Sequence, residues 1–194
     1  MDAVDRATLR QQLRANRKAL TEADQQTAAT QLAELVISQP FFEQSKKVAL
    51  YLASDGEINP EIVASKVWQQ GKQCFLPVLD QKDSKRMYFQ RYTSDTVMTE
   101  NRFGIPEPEF SADEQVSAEQ LDLVLMPLTG FDEQGNRLGM GGGFYDRTFA
   151  FIKAGEKPLL IGLAHECQKV DQIPVEDWDV PMYGVITGQA FYQS

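Results

Sequence analysis

The chain has 194 residues, a formal net charge of −9 at neutral pH and two cysteines that lack a CxxC spacing. Its length predicts one domain spanning residues 1–194, and without an apolar run of about 18 residues or a signal-peptide core we expect a cytoplasmic protein. The net charge disfavours nucleic acid and anionic membranes as partners, and the cysteine spacing predicts neither a disulfide framework nor a zinc site.

The first predicted element is a helix between Asp5 and Leu20, with leucines repeating along one face. Arg6, Arg10 and Arg14 recur every four residues on a neighbouring face. Such a stripe is either a solvated surface or a local source of positive charge for an anionic ligand. A second helix follows, from a capping box that begins at Thr21 to about Ser38.

The next elements are a buried strand, Val48–Ala53, and a helix that begins near Asn59 and Pro60. Asp55 and Glu57 lie between them. Ligands of open α/β sheets bind beyond the carboxyl ends of strands, so these acids are either plain loop residues or ligand contacts.

The middle of the chain continues with predicted strands at Cys74–Leu79 and Met87–Tyr92. Strands that alternate with helices indicate an α/β layered fold. The stretch Glu100–Phe110 has two prolines and no periodicity, which predicts a loop.

A Gly-rich segment follows the apolar run Leu121–Met126. Three consecutive glycines, Gly141–Gly143, are costly in a regular element, so they mark either a flexible surface loop or a close approach of backbone to a ligand. Arg137 precedes the glycines, and Asp146 follows them, which is suitable for phosphate and a divalent ion. The segment matches neither a Walker A loop nor the Rossmann pattern.

In the C-terminal part of the chain, the residue pattern predicts a helix at 143–153 and a buried strand at Pro158–Ala164. His165 follows that strand, where a lone histidine is more often structural than catalytic. Several acids, including Glu176 and Asp179, follow in a segment that is either solvated surface or part of a site.

The run FDEQGNRLGMGGGFYDR resembles the motif of the 5-formyltetrahydrofolate cyclo-ligase family, which is also called 5,10-methenyltetrahydrofolate synthetase. The resemblance extends to both ends of the chain. It implies a single-domain layered α/β/α sandwich with a mostly parallel sheet, similar to the sugar-phosphate isomerase-like folds. The chain departs from the family pattern at Arg6, where a lysine is frequent. The match to the family is also looser near Asp179 than at the Gly-rich segment.

The resemblance also implies roles for individual residues. It implies catalytic roles for Arg137 and Tyr145, and an apolar role for Phe103, Ile105 and Pro106 that packing alone could also explain. The ATP-binding residues that it implies are Arg6, Arg10, Arg137, Gly139, Gly141, Gly142, Gly143 and Tyr145. The folate-binding residues are Leu52, Glu57, Phe103, Met140, Gly141, Gly142, Gly143 and Phe144. The Mg²⁺ ligands are Asp146 and Asp179.

The activity implied by the resemblance is ATP- and Mg²⁺-dependent cyclisation of 5-formyltetrahydrofolate, with or without a polyglutamate tail, to 5,10-methenyltetrahydrofolate by a monomer. Two alternatives remain at this point. One is a sugar-phosphate isomerase-like enzyme, because fold alone does not decide function. The other is a non-catalytic protein that binds formyl-folate.

Overall fold

The computed structural model describes residues 5–79, 86–100, 104, 106–153 and 156–194. The helices are α1 (Arg6–Lys18), α2 (Glu22–Ile37), α3 (Pro40–Gln44), α4 (Glu61–Gln69) and α5 (Phe144–Thr148). The strands are β1 (Lys47–Ala49), β2 (Gln73–Leu79), β3 (Met87–Tyr92), β4 (Met98–Glu100), β5 (Pro106–Pro108), β6 (Gln115–Val116), β7 (Leu123–Pro127), β8 (Gly130–Phe131), β9 (Arg137–Leu138), β10 (Leu159–Leu163), β11 (Gly184–Ile186) and β12 (Phe191–Gln193). Short 3-10 turns are Ala112–Glu114, Ala118–Gln120 and Glu166–Gln168.

The centre of the fold is an eight-stranded sheet in the order β12-β11-β10-β7-β1-β2-β3-β6. The five neighbours from β11 to β2 are parallel to one another, whereas β12, β3 and β6 join as antiparallel strands at the two sides. The predicted α/β fold with a mostly parallel sheet is confirmed.

The two faces of the sheet are buried under different coverings. Side chains alternate along β7, so Leu123 and Leu125 pack with α2 and α4, whereas Val124 and Met126 face the opposite core. On that opposite side the cover consists of short elements, including the Ala118–Gln120 turn, Phe131 of β8 and Phe149 after α5. One face therefore carries long helices, and the other carries turns, a hairpin and one short helix.

The helix α1 begins at Arg6 because the carboxylate of Asp5 accepts hydrogen bonds from the backbone N–H groups of Ala7 and Thr8, at 2.9 and 3.0 Å. The predicted capping box of α2 is present, with Thr21 and Asp24 as its two members. Within the described residues, no helix has the length and apolar character needed to cross a membrane.

Three predicted boundaries are wrong. The strand predicted at Val48–Ala53 ends at Ala49, because the chain leaves the ladder and Leu52 lines a cavity instead. The helix predicted at 143–153 stops at Thr148, where Phe149 turns into the core. The loop predicted at Glu100–Phe110 contains β5, which pairs with β4 as a separate two-stranded ribbon.

Candidate active site

A cavity of about 580 Å³ lies where the carboxyl ends of β1, β2 and β7 meet the Gly-rich segment and α1. Its position agrees with the rule that ligands of open α/β sheets bind beyond the carboxyl ends of the strands. One part of its wall is apolar and comes from β2 and from Leu52. The other part is charged and comes from α1, the Gly-rich segment and the residues around Asp179.

The start of the Gly-rich segment is fixed by Asp132, which is fully buried. Its carboxylate accepts hydrogen bonds from the backbone N–H groups of Gln134 (3.1 Å), Asn136 (3.0 Å) and Ile173 (2.9 Å). These bonds close the turn between β8 and β9 and tie it to the C-terminal segment. Arg137, the first residue of β9, thereby gains a fixed position beside the cavity.

The three glycines form the wall that leads into α5. Gly141 has φ of 95° and Gly143 has φ of 63°, which are left-handed conformations that side chains rarely adopt. A Cβ atom at Gly143 would also approach the guanidinium of Arg147 to 2.7 Å. All three glycines line the cavity, so backbone without Cβ atoms forms this part of its wall.

Arg10 joins α1 to the Gly-rich segment. Its Nε donates a hydrogen bond to the carbonyl of Gly139 at 2.8 Å, and its guanidinium lies beside Gly141. Because Arg10 also lines the cavity, its remaining N–H groups supply positive charge at this wall.

Arg6 forms a bidentate ion pair with Asp179, through distances of 2.8 Å and 3.2 Å. It also donates to the carbonyl of Pro174 at 3.0 Å. Burial alone would raise the pKa of the Asp179 carboxyl, but the hydrogen bonds from Arg6 and from the N–H of Glu176 lower it below its usual value. The start of α1 and the C-terminal segment are thus locked together across the cavity.

Arg137 pairs with Asp146, as Arg6 pairs with Asp179. It is 7% exposed, and it donates hydrogen bonds to a carboxylate oxygen of Asp146 and to the carbonyl of Val180. Burial lowers the pKa of Arg137, an effect that the charges of Asp146 and Asp179 oppose. The same Asp146 oxygen accepts from the N–H of Val180 at 3.2 Å. Each of the two carboxylates predicted to hold a metal is therefore paired with an arginine.

Glu57 is the acid at the other side of the cavity. Burial raises the pKa of its carboxyl, and the N–H of Ser54, which donates to it at 3.1 Å, opposes that rise. Burial also raises the pKa of the Tyr145 phenol, so this hydroxyl stays protonated at neutral pH and can donate a hydrogen bond. The ring of Tyr145 stacks on Phe149 with centroids 6.3 Å apart.

Arg17 fixes the loop that carries Glu57. It is fully buried, and it donates to the carbonyl and the carboxylate of Asp55, both at 2.9 Å, and to the carbonyl of Leu128 at 3.2 Å. Asp55 also binds Arg14 at 2.7 Å, and the hydrogen bond from Arg14 is the main reason that the pKa of Asp55 lies well below its usual range. Asp55 is not a cavity residue; it anchors the loop at φ of 52°.

The structure brings together almost every predicted site residue. The residues that line this one cavity are Arg6, Arg10, Leu52, Glu57, Arg137, Gly139, Met140, Gly141, Gly142, Gly143, Phe144, Tyr145, Asp146 and Asp179. Pro106 lines it as well, whereas Phe103 and Ile105 lie outside the described residues. Whether the gathered side chains bind ATP, folate or Mg²⁺ as predicted stays a prediction.

Sequence reasoning missed several residues that the cavity and its supports use, among them Arg17 and Trp178. Arg17 continues the basic stripe of α1 by three residues beyond Arg14, but a charged residue on a stripe gives no sign that it is buried. Trp178 lines the cavity next to Asp179, and its signal was a large aromatic residue in an acidic, proline-flanked segment.

Residues 2–188 match the family model of the 5-formyltetrahydrofolate cyclo-ligase family. The chain belongs to this family. It is 40% identical over 176 residues to the 5-formyltetrahydrofolate cyclo-ligase of Haemophilus influenzae, covering 91% of this chain and 92% of that protein. It is 37% identical over 175 residues to the Escherichia coli K12 protein of the same name, covering 90% and 96%.

A solved structure supports the same assignment. The NMR structure of Aquifex aeolicus 5,10-methenyltetrahydrofolate synthetase superposes with a TM-score of 0.83 at 28% identity, covering 97% of this chain and 92% of that one. The predicted family is confirmed, and so is the prediction that the chain is an enzyme, a cyclo-ligase of the ligase class. The Gly-rich cavity is thus the candidate active site of a cyclo-ligase.

Proposed function

We propose that this chain converts 5-formyltetrahydrofolate to 5,10-methenyltetrahydrofolate at the 580 Å³ cavity, with consumption of ATP and with Mg²⁺ as the metal. The observation that supports it most is the division of one cavity into an apolar part and a charged part that meet at the Gly-rich segment. Two substrates of different chemistry can therefore bind next to each other.

We assign the folate to the apolar part. Leu52 and β2 residues such as Leu76 and Val78 supply an apolar wall for the pterin, and Glu57 supplies one polar contact. The Glu57 carboxylate accepts from the N–H of Ser54 and lies 3.8 Å from Arg17, and a further donor on the ligand would stabilise its ionised form. Met140 and Phe144 complete this side.

We assign the triphosphate to Arg6, Arg10 and Arg137 and to the backbone N–H groups of Gly139 and Gly141–Gly143. Arginine and free backbone N–H groups are the usual donors to phosphate oxygens. Arg137 has two of its hydrogen-bond donors engaged by Asp146 and Val180, and the guanidinium has five donors in all, so further N–H groups remain for a phosphate.

The residues at the charged part fit Mg²⁺. The described residues contain no cluster of three or more potential metal-binding side chains. Mg²⁺ needs fewer protein side chains than three, because it is usually bound by one or two carboxylates together with substrate phosphates and water. Asp146 and Asp179 would hold it, and their arginine partners would then be free to turn toward the phosphates. The bound metal would neutralise charge on the transferring phosphoryl group.

The proposed reaction has two steps. The formyl oxygen attacks the γ-phosphorus, and the bond from that phosphorus to the ADP oxygen breaks. N10 then donates its electron pair to the formyl carbon, loses its proton, and the C–O bond breaks to release phosphate and leave the methenyl bridge. Arg137 and Tyr145 act here by positioning and by donating hydrogen bonds to the transferred phosphoryl group, because such reactions depend on geometry and charge.

The deciding experiment follows the methenyl chromophore and ADP together in purified protein with 5-formyltetrahydrofolate, Mg²⁺ and ATP, omitting each component in turn. We expect both products in equal amounts and only with all components present. Folate binding without either product would indicate a non-catalytic formyl-folate-binding protein. Failure of folate to bind would direct attention to phosphorylated sugars, the ligands of the sugar-phosphate isomerase-like folds that this fold was predicted to resemble.

A further inference from the structure

Trp178 is the most exposed of the large apolar side chains among the described residues, at 68%. Tryptophan is on average highly buried in folded proteins, whereas this ring is exposed and lines the mouth of a cavity, where its flat face is open to a ligand. Trp178 lines the open rim of the cavity directly beside Asp179, on the charged side rather than on the apolar side formed by β2.

The backbone on both sides of Trp178 is held firmly. The N–H of Glu176 donates to the Asp179 carboxylate at 2.9 Å, and the N–H of Asp179 donates back to the carbonyl of Glu176 at 3.0 Å. Arg6 donates hydrogen bonds to the carbonyl of Pro174 and to the carboxylate of Asp179, and the N–H of Val180 donates one to the carboxylate of Asp146. The ring therefore projects from a fixed segment, and exposure here does not reflect a loose chain.

We propose that Trp178 is the stacking platform for the base of the nucleotide. This inference rests on the proposed function. The γ-phosphate must lie where the apolar and charged parts meet, because it is transferred to the formyl group. The rest of the nucleotide then runs away from the pterin, past Arg6 and Asp179, and its base ends at the rim where Trp178 lies.

The physical basis of this contact is ring stacking. Stacking of a base on an aromatic side chain contributes about 1–3 kcal/mol, and it tolerates different bases because each has a π face. Purines offer a larger face than pyrimidines. We therefore expect the enzyme to prefer purine nucleotides over pyrimidine nucleotides while it discriminates weakly between ATP and GTP.

The chain offers a clean optical test, because it contains only two tryptophans. The other, Trp68, donates its indole N–H to the carbonyl of Tyr92 at 2.9 Å and does not line this cavity. In Trp68→Phe, which leaves Trp178 as the single fluorophore, ADP and ATP should quench the fluorescence saturably. Inorganic tripolyphosphate, which has the charge but no base, should bind without comparable quenching.

The matching binding test measures dissociation constants by calorimetry in the absence of folate, with Mg²⁺ present. Trp178→Ala should raise the Kd for ATP by about tenfold and leave the Kd for tripolyphosphate unchanged, whereas Trp178→Phe should stay within about threefold of the parent. Val175→Ala, at a neighbouring position that is 57% exposed, serves as the matched control and should change neither value.

The outcomes separate the two proposals. If wild-type protein binds neither ATP nor tripolyphosphate, both the proposed function and the role of Trp178 as a stacking platform are overturned. If both bind but Trp178→Ala leaves their ratio of affinities unchanged, only the platform is overturned. A loss of folate affinity in Trp178→Ala, with ATP affinity intact, would also overturn it, because the ring would then serve the other substrate.

Discussion

At the scale of single residues, arginines determine both the shape and the charge of the cavity. Arg6 and Arg137 each pair with one carboxylate of the proposed metal site, and Arg17 is buried beneath the loop that presents Glu57. Among the described residues, the cavity lining holds three arginines, Arg6, Arg10 and Arg137, among five acids. A divalent cation on the carboxylates would leave these arginines to supply the local positive charge that an anionic substrate needs in a protein of net charge −9.

The role proposed for Asp146 is tested by Asp146→Asn. Asparagine can still accept the hydrogen bonds from Arg137 and from the N–H of Val180, so we expect the fold to survive. Without the negative charge the metal is lost from its proposed position, and turnover should fall on the order of 100-fold or more. The measurement is kcat across a Mg²⁺ titration. Near-normal turnover at saturating Mg²⁺ would contradict the assignment.

Removal of Arg17 should cost far more stability than removal of Arg14, although both bind Asp55. The side chain of Arg17 is fully buried and that of Arg14 is 41% exposed. In Arg17→Met the carbonyl oxygen of Asp55 loses its donor in the interior, the carbonyl oxygen of Leu128 keeps only the donor from Gln168, and we expect a loss of about 3 kcal/mol. The matched variant Arg14→Met should lose about 1 kcal/mol or less. Urea unfolding monitored by circular dichroism measures both, and equal losses would refute the distinction.

His165 makes folding stability depend on pH. It is 2% exposed, and burial together with the nearby charge of Arg17 lowers its pKa to about 4. The unfolded chain, with a histidine pKa of about 6.5, takes up the proton first, so this stability is present above pH 6.5 and is lost as the pH falls toward 4. Between pH 7 and pH 5 the free energy of unfolding should drop by about 2 kcal/mol more than in His165→Gln. Parallel pH profiles for the two proteins would contradict this.

At the scale of elements, α1 acts as a clamp on the cavity. Its first turn carries Arg6, its second carries Arg10, and its last carries Arg17, so one helix contacts the C-terminal segment, the Gly-rich segment and the loop after β1. The position of this helix therefore links the proposed ATP contacts to the proposed folate contacts.

A loss of the N-cap should weaken nucleotide binding through α1 alone. In Asp5→Ala the first turn loses its acceptors for the N–H groups of Ala7 and Thr8, and the fraying should release Arg6. We expect the Kd for ATP to rise severalfold. Thr21→Ala removes the corresponding cap of α2, which contributes no residue to the cavity, and it should leave the Kd unchanged. If the two variants shift ATP affinity equally, the proposed role of α1 in holding the nucleotide contacts is contradicted.

Elements with a clear period could be predicted from the sequence, and those shaped by distant contacts could not. The apolar and basic repeats of α1 were sufficient to predict this helix, and the observed bounds differ from the predicted ones by only one or two residues at each end. The strand β5 was missed because Pro106 and Pro108 suggest a loop, yet proline is tolerated in an edge strand. The burial of Arg17 depends on Asp55, which is 38 residues away. No local pattern carries that information.

The candidate site was largely predictable for a different reason. The motif FDEQGNRLGMGGGFYDR is contiguous in sequence, and its turn is fixed by the local pair Asp132 and Asn136, although Arg10 of α1 and the distant Val180 also hold its glycine segment and its acid. The β2 residues of the apolar part, such as Leu76 and Val78, were not predicted, because they look the same in sequence whether they face a core or a ligand.

At the scale of the whole molecule, one sheet runs through both halves of the chain, with β2 and β3 on one side and β10 to β12 on the other. We therefore propose that residues 1–194 form a single domain. Its edges are short: β6 has two residues and β12 has three. Short edge strands offer little backbone for pairing with a second copy.

We accordingly expect a monomer. Sedimentation equilibrium should return a mass near 21.9 kDa that does not change with protein concentration. The same measurement on Trp178→Ala serves as the control, because it removes the most exposed of the described large apolar side chains. A concentration-dependent rise in mass for the parent protein would contradict the expected monomer.

The pairing of Arg6 with Asp179 joins positions 173 residues apart, and it has a consequence for protein synthesis. The ribosome delivers α1 long before Asp179, so α1 has no partner for Arg6 while the chain between them is being made. Domains generally fold as units during synthesis. The cavity can therefore close only after the C-terminal segment has left the exit tunnel, and a nascent chain that stops before Asp179 should be unable to retain nucleotide.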